Sequence, residues 1–155
     1  MILYLDTSAL IKAYVTEAGT AEILAAMRKA ESVASHLIAF VEANAAFARL
    51  LREQVLNANQ CDAVKREFSH DWGNYIQVGV DQTLLQRASE LAEAFALRAY
   101  DSVHLAAADL LLKQSGMGVT FACFDRKLNH AAAVLGLPLT AGKSQRTRSV
   151  PAPRS

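Results

Sequence analysis

The sequence predicts an α/β domain with a mainly parallel central sheet flanked by helices. Short, uninterrupted apolar runs alternate along the 155 residues with alanine-rich segments that have helical spacing, and this alternation is typical of parallel α/β proteins. Uninterrupted apolar runs suit strands that are covered on both faces, as the strands of a parallel sheet are. Because 52% of the residues are apolar, one domain of this length can bury a sizeable core without disulfide support.

Three apolar runs predict strands at residues 2–5, 76–80 and 119–124. Glycines at positions 116 and 118 precede the last run and favour a turn before it. Two weaker strand candidates are residues 32–34 and 138–140. The first strand begins almost at the start of the sequence, and the others are spaced widely enough for helices to connect them.

Segments with apolar residues three or four positions apart predict helices. The predicted helices span residues 9–14, 21–30, 36–56, 60–72, 83–95, 102–114 and 128–135. Two of these follow each other directly between residues 36 and 72, which departs from strict alternation of strand and helix. This excess predicts an inserted helical hairpin.

Composition divides the chain into a predicted folded domain, residues 1–142, and a basic, disordered tail, residues 143–155. The tail is rich in Ser, Pro and Arg, and it lacks apolar periodicity. The whole chain has a formal charge of +1, but the tail holds four basic residues and no acid, so residues 1–142 carry 12 basic and 15 acidic residues, a net charge of −3. The domain therefore lacks the strongly basic coat of many nucleic-acid-binding proteins.

Cysteine usage and the absence of targeting signals predict a cytoplasmic protein with no membrane contact. Cys61 and Cys123 belong to no C-x-x-C pair or Cys/His cluster, so we expect reduced thiols in a reducing compartment. The N-terminus has no basic segment or cleavage site of a signal peptide, and no window approaches the 18 or so apolar residues of a membrane span. Neither of the common glycine-rich nucleotide-binding motifs is present.

Two aspartates stand directly after predicted strands. Asp6 follows the first strand, and Asp125 follows the run at residues 119–124. Ligands of open α/β sheets bind at the carboxyl ends of the strands, so both side chains are candidates for a site. The alternative is that each aspartate only caps the helix that follows it.

Glu42 lies on the apolar face of a predicted helix. Its neighbours one turn away are Ile38, Ala45 and Ala46. Burying an unpaired carboxylate costs several kcal/mol, so Glu42 should have a cation, a metal ion or a raised pKa to compensate. The alternative is an edge position at which Glu42 reaches solvent or pairs with Arg49.

Asp101 begins a long apolar helix and has Leu97 and Leu105 four residues to either side. A role as an N-cap is again an alternative. Taken together, four carboxylates converging on one place would repel one another by roughly 4 kcal/mol per pair at about 4 Å and an effective dielectric constant of about 20. Such a cluster would require a divalent cation, and ligation by oxygen alone suits Mg²⁺ or Mn²⁺.

Four segments together resemble the PIN-domain ribonucleases, specifically the VapC-type toxins of bacterial toxin–antitoxin pairs. They are LDTSALIKAY at the start, the helix around Glu42, RAYDSVHLAAA around Asp101 and FACFDRKLNHAAAVLGL around Asp125. The resemblance spans residues 1 to about 140, in order and with family-like spacing. It implies a PIN-like three-layer fold. Segment 56–75 matches only as generic helices, and the tail lies outside the resemblance.

The resemblance also implies the site. Asp6, Glu42, Asp101 and Asp125 correspond to the acidic quartet, and Ser8 occupies the small polar position that follows the first aspartate. Asp6 and Asp101 would bind Mg²⁺ or Mn²⁺ directly, while Glu42 and Asp125 would act directly, through water or on a second ion. The implied reaction is metal-assisted hydrolysis of an RNA phosphodiester, which leaves a 5′-phosphate and a 3′-hydroxyl.

The implied partners are an RNA substrate, a cognate VapB-type antitoxin and a second copy of the chain in a homodimer. The alternative function is a catalytically degenerate PIN-fold module that binds RNA or protein. The presence of all four carboxylates weighs against that alternative.

Most of the remaining polar and aromatic residues that could belong to a site have a functional and a structural interpretation. His104 lies one turn after Asp101 and either supports the site or packs in the core with one hydrogen bond. Asp81 is predicted to cap a helix and Asp109 to lie on a helix surface. Basic residues near the site in sequence could hold RNA phosphates or only solubilise the surface; they are Lys12, Arg98, Arg126 and Lys127. For the aromatic residues Trp72 and Tyr75, a core or dimer contact is favoured over base stacking.

Overall fold

A computed structural model of the chain describes residues 1–140. These residues form four strands and seven helices. The strands are β1 (Ile2–Leu5), β2 (Ser32–His36), β3 (Ile76–Val78) and β4 (Val119–Ala122). The helices are α1 (Thr7–Tyr14), α2 (Thr20–Lys29), α3 (Ile38–Arg52), α4 (Ala58–Trp72), α5 (Gln82–Phe95), α6 (Ala99–Ser115) and α7 (Arg126–Val134). The predicted tail, residues 143–155, lies outside the described residues.

The four strands form one sheet in the order β3-β2-β1-β4. All three strand pairs are parallel, so the prediction of a parallel α/β sheet is confirmed. β1 lies inside the sheet, and its four residues are buried, which explains why its sequence is apolar without alternation. Because parallel strands end at the same edge, the residues that follow β1, β2 and β4 meet there.

Alternate residues of β1 point to opposite sides of the sheet and create the three layers. Ile2 and Tyr4 join a core cluster with residues of α5, α6 and α7. Leu3 and Leu5 join a second cluster with residues of α1, α2, α3 and α4. The three-layer arrangement that the family resemblance implied is therefore present.

The inserted helical hairpin is confirmed as α3 and α4, which connect β2 to β3. The rings of Phe47 and Phe68 pack edge to face between the two helices, with centroids 6.0 Å apart. Trp72 and Tyr75 pack against the same core cluster, which confirms the favoured core interpretation of these two residues. Asn57 begins α4 with a capping box that it shares with Gln60.

Several predicted boundaries were wrong. The strands predicted at residues 76–80 and 119–124 end at Val78 and Ala122, and the helix predicted at residues 36–56 ends at Arg52. The helix predicted at residues 36–56 begins only at Ile38, because His36 still pairs with Val78 in the sheet. The strand predicted at residues 138–140 is reduced to one bridge between Phe121 and Leu139.

Cys61 and Cys123 are free, buried thiols. Within residues 1–140, no helix combines the length and the apolar character that crossing a membrane requires.

Candidate active site

Asp6 stands where β1 passes into α1 and has two roles. Its Oδ1 accepts hydrogen bonds from the Ala9 backbone N–H at 2.9 Å and from the Ser8 hydroxyl at 2.7 Å, so it caps α1. It is also only 5% exposed. Burial raises the pKa of Asp6, although nearby His104 and these hydrogen bonds oppose the rise. The capping and site interpretations are therefore compatible, since one oxygen is enough to cap the helix.

Asp101 lies in the first turn of α6, so the alternative that it is only an N-cap does not hold. Arg98 holds the N-cap position, without a side-chain hydrogen bond to the helix. Burial raises the pKa of Asp101, and the negative charges of Asp125 and Asp6 raise it further, against a smaller lowering by Arg98. Repulsion of this kind requires that the three carboxylates lie near one another.

Asp125 caps α7 from the loop that follows β4. Its Oδ1 accepts a hydrogen bond from the Leu128 backbone N–H at 2.9 Å, and its own backbone N–H donates to the Cys123 sulfur at 3.2 Å. Burial raises the pKa of the Cys123 thiol, and the charge of Asp6 raises it further. Cys123 therefore remains a neutral thiol beside the aspartates.

Glu42 of α3 is held away from Arg49, which contacts Glu53 instead. Its Oε1 accepts hydrogen bonds from the Thr7 hydroxyl at 2.7 Å and from His104 Nε2 at 2.9 Å. Burial alone would raise the pKa of Glu42, but these hydrogen bonds lower it below its ordinary value. The pairing with Arg49 is therefore not formed. Glu42 still reaches solvent in part, since its side chain is 27% exposed, and partners within the fold compensate its charge.

His104 makes more contacts than either sequence interpretation foresaw. It is buried, and its Nδ1 lies 2.8 Å from the Tyr4 hydroxyl while its Nε2 faces both Glu42 and Thr7. Its position three residues after Asp101 on α6 places both side chains on one helix face, and that spacing was the available signal. Tyr4 gave no signal, because in the sequence it is one of several apolar residues of β1.

The structure therefore brings the predicted quartet together in two groups. The negative charges of Asp6 and Asp125 both act on Asp101. Glu42 contacts Thr7, the residue after Asp6, and His104, which is on the same helix as Asp101. Ser8 supports the first group by donating to Asp6.

The three aspartates provide the oxygen donors that a hard divalent cation prefers. Within residues 1–140, no three His, Cys, Asp or Glu side chains form a ready-made metal centre. Mg²⁺ does not need one, because it keeps several of its waters and is usually bound by one or two carboxylates. The unbalanced charge around Asp101 fits such an ion, since a cation there would relieve the repulsion.

The basic residues near the site differ in exposure and in whether an acidic side chain already pairs with them. Lys12 Nζ pairs with Glu17 at 3.0 Å and lies over the ring of Phe124, 4.6 Å from its centroid. Arg98, which precedes Asp101, is exposed, and so are Arg126 and Lys127 after Asp125. These exposed cations flank two of the three aspartates in sequence, as a groove for a polyanion requires.

Both the sequence and the fold of this chain are similar to those of known proteins. The sequence matches the PIN domain family over residues 3–134. It is 32% identical over 135 residues to Ribonuclease VapC45 of Mycobacterium tuberculosis (strain CDC 1551 / Oshkosh), which covers 87% of this chain and 92% of that protein. The fold is similar to that of FitAcB from Neisseria gonorrhoeae, with a TM-score of 0.61, 18% identity and coverage of 90% of this chain and 96% of that one. It is also similar to a toxin-antitoxin complex from Klebsiella pneumoniae, with a TM-score of 0.57, 15% identity and coverage of 79% and 86%.

Proposed function

Since this chain belongs to the PIN-domain family, in which its relatives include the VapC ribonucleases, we propose that it is a metal-dependent endoribonuclease and the toxin of a toxin–antitoxin pair. The observation that carries the proposal is that Asp6 and Asp125 follow the paired parallel strands β1 and β4 at one edge of the sheet, where their charges act on Asp101 of α6. Such an arrangement costs stability unless a ligand uses it.

Each acidic residue has a proposed task. Asp6 and Asp101 bind Mg²⁺ or Mn²⁺, and Asp125 contributes directly or through water. When bound, the ion polarises the phosphodiester and offsets the charge that develops on the leaving 3′ oxygen. Glu42, held in its ionised form, orients the attacking water, whose proton passes to bulk solvent. The water oxygen bonds to phosphorus, the bond from phosphorus to the 3′ oxygen breaks, and that oxygen takes a proton from solvent.

The proposed partners follow from the relatives and from charge. A relative in fold is described as a toxin-antitoxin complex, and on that basis we propose a VapB-type antitoxin partner for this chain. An arginine of the antitoxin could pair with the same aspartates and thereby exclude the cation. We also propose a homodimer. Light scattering of the purified chain at micromolar concentration would contradict the homodimer if only monomer were present.

The test of the nuclease proposal compares the wild type with Asp6→Asn and Asp101→Asn on a labelled single-stranded RNA, with and without Mg²⁺. We expect cleavage that requires the ion in the wild type and is lost in both variants. Asp62→Asn, which changes an exposed aspartate of α4, is the matched control and should cleave normally. Wild-type rates in either site variant would overturn the assignment. RNA binding without any cleavage by the wild type would indicate the degenerate binding module instead.

A further inference from the structure

A hydrogen-bonded chain of four side chains lies beside the aspartates and extends into the core. Tyr4 and His104 are almost wholly buried, and Thr7 and Glu42 are half-buried. The chain runs from the Tyr4 hydroxyl to His104 Nδ1 at 2.8 Å, and from His104 Nε2 to Glu42 Oε1 at 2.9 Å. Thr7 completes a triangle with the last two residues, 2.7 Å from Glu42 and 3.2 Å from His104.

We propose that His104 is a positioning residue: Tyr4 fixes the tautomer of the His104 imidazole, and the N–H at Nε2 then holds the Glu42 carboxylate in place beside the aspartates. This inference rests on the proposed ribonuclease function, because it assigns His104 a role in orienting Glu42 for that reaction. His104 does not itself reach the reacting atoms.

The positions of the protons follow from counting donors. Glu42 is a carboxylate without a proton to donate, and Thr7 already donates its single hydroxyl proton to Glu42 Oε1. Nε2 of His104 must therefore be the donor toward Glu42. When the imidazole is neutral with its proton on Nε2, Nδ1 is a free acceptor, and the Tyr4 hydroxyl, 2.8 Å away, is then the donor to it. With this tautomer each donor has an acceptor, because Tyr4 donates to His104, and both His104 and Thr7 donate to Glu42.

Glu42 depends on these hydrogen bonds because α3, from which it extends, contributes none of the three aspartates. Its long side chain loses rotamer freedom when it is fixed, and the two hydrogen bonds to Oε1 are what hold it. Thr7 follows Asp6 directly, and His104 lies one helical turn beyond Asp101. The β1–α1 turn and the start of α6 therefore position Glu42 together with two of the aspartates.

The first experiment determines the tautomer in the metal-free wild-type protein. A long-range ¹H–¹⁵N spectrum shows which ring nitrogen of His104 carries the proton. We expect the proton on Nε2, with Nδ1 as an acceptor that loses its hydrogen bond in Tyr4→Phe. A proton on Nδ1 alone would overturn the proposal. This measurement needs no RNA and no metal, so its result is independent of the proposed function.

The second experiment uses two amides that mimic different ring nitrogens. The side-chain N–H of glutamine reaches the place of Nε2, whereas that of asparagine reaches only the place of Nδ1. His104→Gln should therefore keep most of the cleavage rate, and His104→Asn should lower kcat on the order of 10- to 100-fold, as losses of supporting hydrogen bonds do in metal sites. KM should change little in both. His70→Asn, on the exposed face of α4, is the matched control.

A double-mutant cycle decides whether His104 acts through Glu42. In a Glu42→Gln background, His104→Asn should lower kcat by less than about twofold, because the residue that it positions has already been disabled. Independent, multiplicative losses would overturn the proposal, as would equal rates for His104→Gln and His104→Asn in folded proteins. If His104→Asn does not fold, the tautomer spectrum still decides. A wild type that does not cleave RNA at all would instead contradict the proposed function.

Discussion

At the scale of single residues, the carboxylates of the site have opposite electrostatic environments. Burial and repulsion raise the pKa of Asp101, while hydrogen bonds lower the pKa of Glu42. Pairs of acids whose surroundings separate their pKa values are typical of sites with divided roles. Here the strained aspartates suit ion binding, and the satisfied glutamate suits the handling of water.

Asp101→Asn should stabilise the metal-free protein at neutral pH. The folded-state pKa of Asp101 lies above its ordinary value, so the folded state binds its proton more readily than the unfolded chain does. The stabilising contribution of this group is present below the unfolded pKa and is lost as pH rises through the folded pKa. Urea unfolding midpoints should be higher for the variant than for the wild type at pH 7, and the gap should narrow toward about pH 4. The control Asp62→Asn should follow the wild type, and a lower midpoint for Asp101→Asn at pH 7 would contradict this prediction.

His36 should destabilise the protein in mild acid. It is 2% exposed, its Nδ1 accepts the Ile38 backbone N–H at 3.0 Å, and within residues 1–140 its Nε2 has no hydrogen-bond partner. Burial lowers the pKa of His36, and the neighbouring His104 lowers it further. The folded-state pKa is therefore below the unfolded value, so the stability that neutral His36 contributes is lost as pH falls below about 6.5.

The test of this pH dependence is His36→Asn, whose side-chain oxygen can still accept from Ile38 but does not titrate. Urea midpoints of the wild type should fall more steeply than those of the variant between about pH 7.5 and 5.5. His70→Asn removes an exposed histidine and should keep the wild-type slope. Parallel curves for the wild type and His36→Asn would show that another group is responsible.

At the scale of elements, an ion-pair cluster joins α5 to α6. The prediction that Asp109 lies on a helix surface was wrong: its side chain is 4% exposed and accepts from Arg87 Nε at 2.9 Å and from Lys113 Nζ at 2.8 Å. Arg87 is 22 residues away on another helix, and no local pattern indicated that the two helices pack along this side.

Asp109→Asn should lower the free energy of unfolding by about 2 kcal/mol, because it weakens two charged hydrogen bonds at a buried acceptor. Lys113→Ala, which removes the more exposed of the two cations, should cost less than about 1 kcal/mol. Urea denaturation of both variants checks the difference. Equal losses would indicate that the exposed pair with Lys113, and not burial of Asp109, determines the contribution of the cluster.

The elements also show how far the sequence could predict the site. Asp6 and Asp125 were predictable because each follows an apolar run, and a parallel sheet brings such positions together. The His104 contacts were not predictable, because Tyr4 lies 100 residues earlier and resembles an ordinary core residue. The boundary at His36 depends on its pairing with β3, which a local helical pattern cannot reveal.

At the scale of the whole molecule, charge must be arranged to admit RNA to an acidic domain. Residues 1–142 carry a net charge of −3, whereas residues 143–155 carry four basic residues, Lys143, Arg146, Arg148 and Arg154. The tail supplies no acid that could join the carboxylates. It is therefore suited to contacts with phosphates and not to the chemistry itself.

Deleting residues 143–155 should weaken RNA binding at low salt and leave the maximal cleavage rate at saturating RNA nearly unchanged. Each lost phosphate contact should reduce the slope of log affinity against log salt by about 0.7 on single strands. Binding titrations at several salt concentrations, together with single-turnover rates, check both parts. A collapse of the maximal rate in a folded truncation, or an unchanged salt slope, would contradict the corresponding part.

The central position of β1 has a consequence for synthesis. Because β1 pairs with β4 and the Asp6 backbone N–H donates to the Ala122 carbonyl, β1 completes its pairing only after β4, the last of the four described strands, has been made. A nascent chain that stops before β4 lacks both this pairing and Asp125, although it already contains Asp6, Glu42 and Asp101. The complete acidic group can form only when translation of the domain is nearly finished. The ribosome that makes the chain therefore does not hold an assembled nuclease during most of elongation.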